Sequence, residues 1–149
     1  MRIELLQIGD LVNINDKDLN IYGNYKVEGI GKHEEGYGIV VSDRQLVFFD
    51  DCVKPIPLTE DIVSHNIHLE RYWDVSEELP LGTVAEYREE TETAFVKVYC
   101  YHDRKRKLVV EIRLRSNNDR IYLHVNYVHE LQQAFRLFGL NELADNFVI

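Results

Sequence analysis

No run in this sequence approaches the roughly 20 consecutive apolar residues that a membrane-spanning helix needs. Its opening, Met1-Arg2-Ile3-Glu4-Leu5-Leu6-Gln7, lacks the apolar stretch of a secretory leader. Cysteine is scarce, with Cys52 and Cys100 far apart; without an export signal they are expected as reduced thiols, and the protein as cytoplasmic. Positive charge is also in deficit. Lys and Arg total 17 against 26 Asp and Glu, a net of −9, so the field of the whole chain opposes phosphate backbones and argues against general DNA or RNA binding. What is present is ordinary: 45% hydrophobic residues and mixed charges over 149 positions allow a real core in one domain or two small ones.

The first part, 1–57, carries short β-like runs at 10–14, 25–30, 38–41 and 45–49. They are separated by the turn clusters Asn15-Asp16-Lys17-Asp18, Gly31-Lys32-His33-Glu34-Glu35-Gly36 and Ser42-Asp43-Arg44. Strands this short need to curl over one another, and an SH3-like small barrel is the expected closure. Pro55 and Pro57 end it. Thr59 then caps a short helix, with Glu60 and Asp61 at its positive end and Asn66 expected as a left-handed stop. Residues 70–93, with Tyr72-Trp73 and a dense set of carboxylates, read as a loop holding one short strand near 83–87.

The last part is more legible. Three strands are expected at 95–102, 107–114 and 120–125, joined by short polar connections that suit antiparallel neighbours. Asn126 is then placed to cap a helix reaching Phe138, in which Tyr127, Val128, Leu131, Ala134, Phe135 and Phe138 follow helical spacing. His129, Glu130, Gln132, Gln133 and Arg136 fall on the expected wet face, and Gly139 supplies the stop. The expected class is therefore α+β with β predominant: the barrel over 1–57, then, over 58–149, a short helix, a linker and an antiparallel meander packed by the C-terminal helix.

Three segments carry a resemblance: Leu6-Gln7-Ile8-Gly9-Asp10-Leu11-Val12, Val53-Lys54-Pro55-Ile56-Pro57-Leu58-Thr59-Glu60 and Val125-Asn126-Tyr127-Val128-His129-Glu130-Leu131-Gln132. Together they resemble a family of small proteins from Bacteroidales-type bacteria and their prophages and mobile elements. About a third of the chain is covered, and 70–120 is not. Asn66 stands where that family has glycine, and Ala134-Phe135-Arg136-Leu137-Phe138-Gly139 departs from its tail while keeping the apolar register. The resemblance implies an architecture and a mobile-element setting, with no activity or functional residue to carry over.

Catalytic readings fail on residue chemistry. His33, His65, His68, His102, His124 and His129 show no zinc-site spacing. His124, His129 and Glu130 flank one strand-to-helix corner, but His129 and Glu130 are expected in water, as hydrogen-bonding groups at a helix start. Cys100 lies inside a β-run and Cys52 follows Asp50-Asp51, so neither is an activated thiolate. Gly29, Gly31, Gly36 and Gly38 repeat G-x-G, but without the following helix that would cradle a phosphate. No enzyme, cofactor or metal is expected.

The remaining feature is basic. Arg104, Lys105, Arg106 and Lys107 form one run, with Arg113, Arg115 and Arg120 on neighbouring strands and Tyr99, Tyr101 and Tyr122 among them. Basic groups among aromatics on a sheet suit single-stranded nucleic acid, whereas the ordinary reading is a charged hairpin tip beside the acidic middle of the chain. Residues 58–91 hold 2 basic and 9 acidic side chains, and residues 92–149 hold 9 and 7. The expected function is a non-catalytic interaction or accessory protein with an unidentified protein partner and no membrane role. The alternatives are a nucleic-acid-associated protein using Arg104, Lys105, Arg106, Lys107, Arg113 and Arg115, or an acidic nucleic-acid mimic.

Overall fold

The computed structural model describes residues 1–67, 83–90, 95–102, 108–116 and 119–149, and side chains within 1–67 and 123–149. The chain divides into two compact units: Met1–Pro57 with Tyr127–Phe147 and Ile149, and Leu58–Asn126 with Val148. The first unit thus joins the N-terminal segment to residues that follow it by some seventy positions.

In the first unit, strands β1 (Leu11–Asp16), β2 (Ile21–His33), β3 (Gly36–Val41), β4 (Val47–Phe49) and β5 (Val53–Lys54) form an antiparallel sheet in the order β4-β3-β2-β1-β5. Turn chemistry fixes the hairpins. Asp16 Oδ1 accepts from the backbone N–H groups of Asp18 and Leu19, Asn20 takes the left-handed conformation at φ 54°, and Gly36 opens β3 at φ 131°. A bulge between Val27 and Gly29 bends the long strand β2, letting it pair first with β1 and then with β3. Val12, Ile14, Ile21, Val27, Ile39, Val41, Phe48 and Val53 pack with Ile3 and Leu6 into one core, each contributing on the order of 1.5–3 kcal/mol by leaving water.

The expected barrel does not close. The edge strands β4 and β5 have three and two residues; each pairs with its inner neighbour, β3 or β1, and not with the other, and the turn between them has bonds of its own. Cys52 N–H donates to Phe49 O, and the Asp50 carboxylate accepts from Ile3 N–H at 3.1 Å. The result is an open five-stranded sheet packed by C-terminal helices.

Those helices are α2 (Val128–Leu137) and α3 (Asn141–Asp145). Val128, Leu131, Ala134 and Phe135 are buried as the spacing predicts, and Gly139 ends α2 at φ 79°. Two expectations for α2 need correction. Its N-cap is Tyr127 rather than Asn126, with Glu130 Oε2 accepting from Tyr127 N–H at 3.2 Å. It also groups with the first sheet rather than with the later meander, because residues expected on its wet face are the ones that hold β1.

The second unit contains α1 (Glu60–Asn66) and strands β6 (Thr83–Glu90), β7 (Phe95–His102), β8 (Leu108–Ser116) and β9 (Asp119–Val125), an antiparallel meander in chain order. Thr59 caps α1 as expected, its hydroxyl accepting from Ile62 N–H. Asn66 stops α1 by other means than a left-handed turn. Ile67 follows in extended conformation, while the Asn66 amide donates to Ile62 O and Val148 O and accepts from Val148 N–H. A side chain able to donate and accept ties two backbone segments that a glycine would leave unjoined. Residues 68–82, including His68 and Trp73, lie outside the described residues, as does most of the acidic 70–92 segment.

Candidate functional site: a charged face on the β6–β9 sheet

Cross-strand register sorts the meander into two sets of alternate positions, which fall on opposite faces of a pleated sheet. One set contains the rows Ala85–Cys100–Val110–Val125, Tyr87–Val98–Ile112–Leu123 and Glu89–Val96–Leu114–Ile121. These are apolar but for Glu89. The other set contains Glu86–Tyr99–Glu111–His124, Arg88–Lys97–Arg113–Tyr122 and Glu90–Phe95–Arg115–Arg120, with Tyr101 paired to Val109 beyond them. Every cation of the four described strands belongs to this second set, alongside four aromatic residues.

Within that set the cations are grouped by the register. Arg88, Lys97 and Arg113 are consecutive in one row, and Arg115 faces Arg120 in the next. Neighbouring strands stand about 4.8 Å apart, and like charges directly opposite one another destabilise a sheet. Arg113 and Arg115, singled out from sequence, are thus at the centre of a face to which Arg88, Lys97 and Arg120 also belong. Arg88 lies within the acidic middle segment of the sequence, and its register with Lys97 places it in the same row. Arg104, Lys105, Arg106 and Lys107 lie in the β7–β8 connection, outside the described residues.

Of the other ionisable groups singled out from sequence, His68 and the side chains of His102 and Cys100 lie outside the described residues. His65 Nδ1 meets Asp61 O at 2.7 Å, and His33 packs edge-on against Phe49. His124 is exposed on β9. His129 is not in water as expected: it is half-buried and stacked on Tyr127, and its Nδ1 is buried without a hydrogen-bond partner. Burial lowers its pKa from 6.5, against opposing pulls from Asp10 and Glu130. Burial likewise pushes the Cys52 thiol up, with Asp51 and Asp16 adding to the effect, while Phe49 O accepts from its Sγ at 3.2 Å. That agrees with an unreactive thiol. Among the described residues no group of three or more His, Cys, Asp and Glu is arranged to hold a metal ion.

The densest polar cluster of the first unit is structural. Gln132, buried despite its expected wet position, accepts from Leu11 N–H at 2.8 Å and donates to Gly9 O and Ala144 O. The fully buried Asp10 carboxylate accepts from Gln7 N–H, Gln133 Nε2 and Arg136 Nη1. Gly9, at φ 94°, lies so close to Arg136 that a Cβ would come within 2.7 Å of its Nη2. The hydrogen-bonding capacity of this cluster is spent on joining α2 to the start of β1.

A scan against protein-family models, a search of curated proteins and a search of solved structures each return no match.

Proposed function

We propose that this protein is a non-catalytic interaction module, an accessory protein of a bacterial prophage or mobile element, whose working surface is the charged and aromatic face of the β6–β9 sheet. The setting rests on the resemblance of the segments around Gly9-Asp10, Pro55-Ile56-Pro57 and Tyr127-Val128-His129. The binding role rests on one observation, the uninterrupted row Arg88–Lys97–Arg113 beside Arg115–Arg120. A sheet shaped only for stability alternates its charges across strands, as cross-strand pairing favours. Positions that break a local rule of folding are where function is expected. The partner's matching surface is anionic, and among the described residues no helix is long and apolar enough to cross a membrane.

The test is thermal. Arg113→Gln removes one member of the repelling row, and its Tm is expected to rise by about 1–4 °C at low salt. That gain should shrink as salt screens the row. A fall in Tm would show Arg113 held by favourable contacts within the protein, and the binding reading would go with it.

A further inference from the structure

We infer that the ligand of this face is a single-stranded nucleic acid. The inference rests on reading the face as a binding surface, and adds the chemical class of what it binds. The second set of positions carries Arg88, Lys97, Arg113, Arg115 and Arg120 against Glu86, Glu90 and Glu111, which is 5 − 3 = +2 within a chain of net −9. At about 0.1 M salt the screening length is near 10 Å, so a ligand lying on the sheet responds most to the charges of the face it contacts. The cations do not alternate with the acids. They form two adjacent rows running across the strands, bounded on one side by the row that holds Glu86 and Glu111, which gives a track for a chain of phosphates.

The aromatic positions select among anions. Phe95, Tyr99, Tyr101 and Tyr122 share the alternate positions of the cations, within the rows or next to them. An acidic peptide would use the cations and have no need of the rings. Undeformed duplex DNA presents its bases edge-on inside its grooves, with their faces already stacked on one another and closed to the rings. Bases of a single strand are free to stack on rings while the phosphates follow the track, a mode that combines charge and stacking with little sequence preference.

The experiment titrates the full chain into a labelled oligothymidylate of about 15 nucleotides, with fluorescence anisotropy as the readout. Three phosphate contacts would weaken binding roughly 20-fold between about 50 and 200 mM salt. Arg113→Gln and Tyr99→Ser should each weaken it about tenfold, while Arg113→Lys and Tyr99→Phe retain most of it. Glu111→Gln, which removes a carboxylate beside the track, should tighten it. Each variant is read beside its melting curve, so a loss through misfolding is recognised, and the tightening by Glu111→Gln has no such explanation. Absence of binding at low salt overturns the inference; if Arg113→Gln still raises Tm, the binding-face reading stands with another anion as its ligand. Binding that ignores Arg113 and Lys97, equal affinity for a duplex of the same length, or displacement by polyglutamate as readily as by unlabelled oligonucleotide would each overturn it as well.

Discussion

The Asp10 carboxylate has no exposed surface, yet three donors meet it, from Gln7, Gln133 and Arg136. Its partner Arg136 is 16% exposed and also reaches Asp145, itself 56% exposed. The two ion pairs therefore have unequal weight. Asp10→Ala removes the fully buried acceptor shared by Gln7 N–H, Gln133 and Arg136, and should lower unfolding free energy by about 3 kcal/mol. Asp145→Ala should cost under about 1 kcal/mol, because water replaces the lost partner. Urea unfolding of the two variants side by side measures the difference, and equal losses would mean the network is not centred on Asp10. His129 supplies a pH dependence of definite sign. Its folded pKa lies below its ordinary 6.5 because of burial, so the unfolded chain takes up the proton first as pH falls, and stability declines from about that value downward. The urea midpoint should be lower at about pH 5.5 than at about pH 7.5, and His129→Gln should reduce the drop.

At the scale of elements, α2 is both an amphipathic helix and a set of polar ties. Val128, Leu131, Ala134 and Phe135 supply the buried stripe, and Gln132, Gln133 and Arg136 bond the chain from Leu5 to Leu11. Gln132→Leu keeps the size of the side chain and strands Leu11 N–H with the Gly9 and Ala144 carbonyls, at a cost of about 3 kcal/mol in urea unfolding. Helical spacing identified α2 and its end at Gly139, but placed Gln132 in water. Periodicity counts apolar residues, and a glutamine buried with both ends of its amide satisfied is invisible to it. The hairpins were legible because turn residues act locally. The barrel was not, because closure depends on whether the edge strands β4 and β5 meet each other, which their local sequence leaves open. Arg113 and Arg115 were visible as cations on a strand; their alignment with Arg88, Lys97, Phe95 and Arg120 required register, a property of four strands together.

For the molecule as a whole, the chain leaves its first unit and re-enters it at one place. Pro57 bridges Tyr127, and Val128 N–H donates to Ile56 O. Leu58 N–H donates to Asn126 O on the other side of the division. Leu58–Asn126 is thus an insertion whose ends meet, which makes its removal a direct test of the first unit. A chain of residues 1–57 alone should fail to fold, whereas one in which a short Asn-Gly turn replaces 58–126 should give a dispersed amide NMR spectrum. A folded 1–57 fragment would contradict the role given to α2. The sequence by itself determined the class, the hairpins of the first sheet, the three strands of the later meander, helices α1 and α2 and the caps at Thr59 and Gly139, since propensity, spacing and turn chemistry act over a few residues. Only the tertiary structure decided that α2 returns to the first strands, that the sheet stays open and that scattered cations line up in rows. Those outcomes rest on contacts between residues tens to more than a hundred positions apart, whose pairing no short stretch of sequence contains.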